Sequence, residues 1–353
     1  MSTKNPAGLK KQVLSIGLIL LLAALTLFLL SRQTNGLDGK HLLRFFKTIH
    51  PGYLVLCLVS MLCMVLAEGY SLKRIAAKLG CPVFLVKSSM WAASDYYFSG
   101  LTPCATGGQP VADYFMYKDG LSISHASAAM VVNTMMYTLS LLAWGLVCLV
   151  TCGKALNHVP LTAKGFLLYG SVTHLLLIIV CLLCMFRQNW MRRIGNWGID
   201  LLAKIRLIKH PQQRKDSLAA SLADYAEAVA IIRRNPFLLV EVLGANMAQR
   251  FATALPVCLL YLGIGGSLSS VWTVYSLNVL CLLSSAAVPI PGTVGISELM
   301  FLQYLEGYFG GLAIPAMPTN RMIVFYFCLL LCGLWTLLRM FFLQRNKSAR
   351  PAA

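Results

Sequence analysis

The chain has 353 residues, 58% of them hydrophobic and only 12% charged, with a formal net charge of +18 and a mean hydropathy of +0.71. A soluble chain of this length carries about twice that share of charge, so a soluble enzyme is excluded and an all-α integral membrane protein is expected. The basic excess then marks cytoplasmic loops, and no nucleic acid is expected as a partner.

Lys10 and Lys11 precede an apolar run at 12–31 that is longer than a secretory signal core and lacks a small-residue cleavage site, so it reads as a retained span. Further spans are expected at 52–70, 122–150, 161–186, 237–262 and 321–343, about six full crossings in all. Two more apolar regions, 83–117 and 268–310, are interrupted. The first holds Gly100-Leu-Thr-Pro-Cys-Ala-Thr-Gly-Gly-Gln-Pro110, and the second holds Val288-Pro-Ile-Pro-Gly-Thr-Val-Gly-Ile-Ser-Glu298. Lipid offers no hydrogen bonds to a broken backbone, so such breaks survive only inside protein or beside a wet cavity.

Positive charge sets orientation. Lys4, Lys10, Lys11, Lys73, Arg74, Lys78, the ten Lys and Arg residues between 187 and 235, and Arg345, Lys347 and Arg350 all fall on one face if each broken region returns to its own side or crosses twice. Both termini are then cytoplasmic. The segment 32–50, with Arg32, Lys40, Arg44 and Lys47, is the exception. The parity makes the two units, span, broken hairpin, span, an inverted repeat of about 8–10 hydrophobic segments, the arrangement of many secondary transporters. The alternative is two ordinary tight turns and about ten crossings. The halves are placed at 10–186 and 236–343, joined by a basic linker at 187–235 and followed by a short basic tail at 344–353. In the linker, Leu218, Leu222, Tyr225, Val229 and Ile232 recur at steps of four and three. That helix either lies among anionic headgroups or packs on the bundle.

The candidate chemistry lies in and beside the breaks. Arg250 sits inside a span with Asn246 one turn away and Gln249 beside it. It suits either a headgroup phosphate or a structural salt bridge to Glu298 or Glu241. Glu298 follows the second break, where it offsets a helix dipole, pairs with Arg250, carries a proton or meets a cationic headgroup. Pro291 and Gly292 form the break itself. In the first half Tyr97, Gly107, Gly108, Gln109 and Asp113 surround the break, the glycines allowing backbone near a ligand. Asp95 and Asp113 read equally as functional carboxylates or interfacial caps, and Glu68 as an ion pair with Lys73 or Arg74. His125, His158 and His174 lack ligand spacing, and the cysteines lie in apolar runs, so neither a metal nor another cofactor is expected. No nucleophile elbow, phosphate-binding loop or nucleotide cassette occurs, and no catalytic residue is assigned.

Tyr97 to Thr102-Pro103, Gly107-Gly108-Gln109-Pro110, Tyr114 with Gly120, Pro289-Ile-Pro-Gly292, Gly295 and Glu298 together resemble the flippase-like membrane-domain family of lysylphosphatidylglycerol synthetase, the bacterial multiple peptide resistance factor. The likeness runs from about 10 to 343. It implies translocation of phospholipid, aminoacylated phosphatidylglycerol among the candidates, across the bacterial cytoplasmic membrane. Fused members also carry a soluble phosphatidylglycerol lysyltransferase domain, which the short tail leads us to expect is missing here. The partners so implied are the bilayer and its phospholipids, with a homo-oligomer or a separate synthase open. Transport of a small solute or a polyprenyl-linked glycan is the competing reading.

Overall fold

The structure, a computed structural model, describes residues 45–102, 105–205, 210–286, 288, 293 and 295–348, with 342–348 as backbone alone. The expected span at 12–31, and the site candidates Pro291 and Gly292, lie outside these residues.

Among the described residues every regular element is helical. Helix α1, Pro51–Lys78, starts on a proline whose missing N–H costs nothing at a first turn, while the His50 ring accepts the Gly52 N–H at 3.2 Å. Helices α2, Leu85–Leu101, and α3, Gly108–Lys118, replace the expected broken region at 83–117. Then come α4, Ile123–Cys152, capped by Ser122, and α5, Leu161–Phe186. Two linker helices follow, α6 over Gln188–Lys204 and α7 over Pro211–Arg233. The second half contains α8, Pro236–Gly263, α9, Val271–Ser285, and α10, Ile296–Phe309. It ends with α11, Ala313–Arg321, a π-helical turn at Met322–Phe327 and α12, Cys328–Ser348.

Five stretches among the described residues are long and apolar enough to cross a membrane, Pro51–Lys78, Ile123–His158, Leu161–Phe186, Leu268–Ser285 and Ile296–Phe341. The chain is thus an all-α, multi-pass membrane protein. On α5, Leu168, Val172, Leu175, Leu176 and Ile179 are exposed, as befits a lipid-facing helix. Helix α8 is 28 residues long, about 42 Å at 1.5 Å per residue. Asn246, Gln249 and Arg250 lower its mean hydropathy, and all three are buried.

The centre of the molecule is the antiparallel pair α1 and α8. At one end the His50 N–H reaches the Gly263 carbonyl at 3.4 Å. Farther along, Cys57 Sγ donates to the Pro256 carbonyl at 3.6 Å and Gln249 Nε2 to Glu68 at 2.8 Å. At the other end Arg74 Nε lies 2.8 Å from Glu241 Oε1, which also accepts the Tyr70 hydroxyl.

Each broken region folds back as a hairpin. In the first, Gly108 opens α3 against Asp95 and Ser99 of α2, and Asp119, just past α3, accepts Trp91 Nε1 at 2.7 Å and pairs with Lys87 at 2.9 Å. Its open end therefore lies beside the C-terminus of α1, where Cys81 Sγ contacts the Asp119 carbonyl. In the second, Cys258 contacts the Val271 carbonyl and Asn278 Nδ2 donates to the Ala254 carbonyl at 2.9 Å. Helix α9 thus runs down α8 toward Arg250. Helix α10 returns to place Tyr308 and Phe309 against Tyr261, so this hairpin opens at the C-terminal end of α8. Because α1 and α8 are antiparallel, the hairpins open on opposite sides.

One detail differs from expectation. The last crossing begins at Ala313 rather than 321, through a segment carrying Pro315 and Pro318, which hydropathy alone undervalues. The stripe on α7 is packed inward: Tyr225, Val229 and Ile232 are buried in one cluster with Ile75, Met185 and Val242. Of its two sequence readings, packing on the bundle holds.

Candidate functional site between the hairpin tips

Three rungs of polar side chains join α1, α4 and α8. Asn246 Nδ2 donates to Asn133 Oδ1 at 3.2 Å, to Ser71 Oγ at 3.3 Å and to the Val242 carbonyl at 2.9 Å. A turn away, Gln249 holds Glu68. On the next position Arg250 lays its guanidinium over the Tyr137 ring, 3.3 Å from the centroid, a cation–π contact strengthened where water is excluded. Glu68, Asp95 and Arg250 interact electrostatically, and His174 senses Arg250 from α5. Arg250 is 8% exposed, and its Nε has no hydrogen-bond partner among the described residues. A buried guanidinium keeps its planar fork of N–H donors, a geometry that matches the oxygens of carboxylate or phosphate.

The sequence expected Arg250 to pair with Glu298 or Glu241 if it were structural, and it pairs with neither. Glu241 is taken by Arg74. Glu298 lies 3.3 Å from Arg321 Nε and accepts the Gly295 N–H at 2.7 Å and the Ser297 hydroxyl at 2.8 Å. It caps α10 after Gly295, whose φ of 88° a side chain would oppose. Nor does Arg74 pair with Glu68, because α1 turns Glu68 inward to Gln249. Arg321 was missed: its partner is 23 positions away, and only the return of α11 along α10 brings them together.

In the first hairpin Gly107 donates its N–H to Thr102 Oγ1 at 2.9 Å, and an added Cβ on Gly108 would sit 2.1 Å from Asp95 Oδ1. These glycines serve close helix packing, and Asp95 already occupies the start of α3. Gln109 Nε2 donates to Thr134 at 2.9 Å, and Asp113 Oδ2 accepts the Ser127 hydroxyl at 2.8 Å. Both staple the hairpin to α4. Asp113 Oδ1 is buried without a hydrogen-bond partner. Tyr97 lies against Gly333 of α12.

Arg321 and Phe325, at the π turn, lie between residues of the two hairpins. An added Cβ on Gly100 would lie 3.4 Å from Phe325, Arg321 stacks on Phe325 at 4.4 Å, and Arg321 Nη1 donates to Ser297 at 2.9 Å. π turns recur at functional sites. Each break also holds a non-glycine residue in the left-handed region, Ala105 at φ 54° and Thr293 at φ 53°, a strained conformation that persists only when its surroundings enforce it. Among the described residues no group of three His, Cys, Asp or Glu is placed to hold a metal.

No curated protein matches the chain. A family model does, over residues 12–332, through both hairpins and the α1–α8 pair. The chain belongs to the family described as the lysylphosphatidylglycerol synthase TM region.

Proposed function

We propose that this protein moves phospholipid between the leaflets of the bacterial cytoplasmic membrane, taking the headgroup between the two hairpin tips while the acyl tails stay in lipid. The observation that carries this is Arg250, more than nine-tenths buried with an unmatched Nε, in a family named for lysylphosphatidylglycerol synthesis. A charge in a membrane interior is costly and marks a substrate path by default. Arg250 takes the phosphate. Asp113, with one carboxylate oxygen unmatched, takes the ammonium of an aminoacylated headgroup, while Glu298 holds the second tip in place through Arg321. The termini are cytoplasmic under this reading.

The test is dithionite quenching of a fluorescently labelled phospholipid in proteoliposomes. Wild type exposes the inner-leaflet label to dithionite. Arg250→Ala remains in the membrane and stops that exposure. A wild-type rate in Arg250→Ala removes the guanidinium from the path and the reading with it.

A further inference from the structure

Helix α6 has two unlike faces. One rests on α7, with Gly195 so close to Leu218 that an added Cβ would lie 2.5 Å from its Cδ2, and with Asp200 paired to Lys215 at 2.6 Å. Since α7 is anchored to the bundle by Tyr225, Ala228, Val229 and Ile232, the orientation of α6 is set. Its other face carries Trp190, Ile194, Trp197, Leu201 and Ile205, spaced four, three, four and four residues apart, and all are exposed, Trp197 to 67%. This is a single apolar stripe on one side of a helix.

Its position follows from the chain. Helix α5 is a 26-residue span ending at Phe186, and α6 begins at Gln188. The Arg187 N–H closes α5 on the Leu183 carbonyl, and the Trp190 N–H opens α6 on the Arg187 carbonyl. The stripe thus starts where a span leaves hydrocarbon, the depth at which indole rings accumulate. Arg187, Arg193 and Lys204 flank it and are exposed, while the one acidic residue of α6, Asp200, is neutralised by Lys215. An apolar aromatic stripe with basic shoulders complements an anionic headgroup layer.

We propose that the exposed face of α6 is a binding surface for anionic phospholipid headgroups in the cytoplasmic leaflet. The surface stands independently of lipid translocation, and its test does not measure transport. The purified full-length chain is reconstituted into liposomes containing lipid brominated near the headgroup, either phosphatidylglycerol or phosphatidylcholine at equal mole fraction, and tryptophan emission is recorded. Brominated phosphatidylglycerol quenches more strongly, and high salt removes the excess. That comparison needs no variant. Replacing Trp190 and Trp197 by Phe reduces the excess by more than half while Trp91, Trp144, Trp272 and Trp335 still report. Arg187→Gln, Arg193→Gln and Lys204→Gln together abolish the preference but keep quenching by brominated phosphatidylcholine. Equal quenching by the two lipids overturns the proposal. So does an excess that survives the Phe substitutions, or Trp190 and Trp197 found shielded from lipid by a second copy of the chain.

Discussion

At the residue scale, the contacts around α8 separate support from binding. Gln249 spends its amide on Glu68, so its loss leaves a buried carboxylate without its donor. Such orphaning costs about 1–3 kcal/mol. Gln249→Leu should therefore lower the unfolding temperature in detergent, and Glu68→Gln, which retains a hydrogen-bonding partner, should lower it less; the reverse ranking would contradict the pairing. Arg250 differs because its planar face lies on Tyr137 while its Nε stays unmatched. Arg250→Lys preserves charge but not the plane. Lys also lacks the guanidinium fork that bonds phosphate in pairs; one lost hydrogen bond to a charged group is worth about 1.5–3 kcal/mol, which predicts phospholipid binding more than about ten-fold weaker by titration into nanodiscs; equal affinity would mean that only charge counts there. The importance of Arg250 was legible in the sequence, since a cation in a span demands explanation. Tyr137 was not, because nothing in one helix announces which ring a neighbouring helix will place beneath it.

At the scale of elements, the hairpins depend on close backbone approach. An added Cβ on Gly108 meets Asp95 Oδ1 at 2.1 Å and the Asp95 carbonyl at 2.3 Å, and one on Gly170 meets the Leu283 carbonyl at 2.1 Å, whereas one on Gly153 meets nothing within 4 Å. Gly108→Ala and Gly170→Ala should each destabilise by about 1–3 kcal/mol, with Gly153→Ala near neutral, as read by thermal aggregation in detergent; three equal effects would refute the tight crossings. Ala105 and Thr293 invite the opposite change. Glycine removes the left-handed penalty of order 1 kcal/mol, so Ala105→Gly should be tolerated without a fall in melting temperature; a clear fall would contradict the strain at Ala105. Both breaks were visible as Pro and Gly in apolar sequence. The ion pair between Glu298 and Arg321 was not, because it needs the reversal at Gly310, whose φ is 53°. Helix α6 escaped notice for another reason: its charges masked a stripe as regular as the one read on α7.

At the scale of the whole molecule, charge parity predicted hairpins that enter from opposite faces, and the antiparallel α1 and α8 supply the physical reason. Each hairpin opens beside the C-terminus of the long helix that precedes it, so reversing the helix reverses the hairpin. Asp119, clamped by Lys87 and Arg339, marks the first opening, and Gly310–Leu312, beyond Tyr308 and Phe309, marks the second. Lys118 and Gly311 are both exposed and lie on these opposite ends. In a background with the native cysteines replaced, Lys118→Cys and Gly311→Cys should differ in their response to a membrane-impermeant maleimide. If the basic loops are cytoplasmic, intact cells label Gly311→Cys alone, and lysed cells label both. Labelling of both in intact cells would place the two openings on one face and break the inverted repeat. Labelling of Lys118→Cys alone would keep the repeat but invert the whole chain, setting the linker with α6 and α7 outside the cell. The hairpin geometry and the orientation rule are thus separated by one experiment, the first resting on the α1–α8 pair and the second on the arginines and lysines of 187–235.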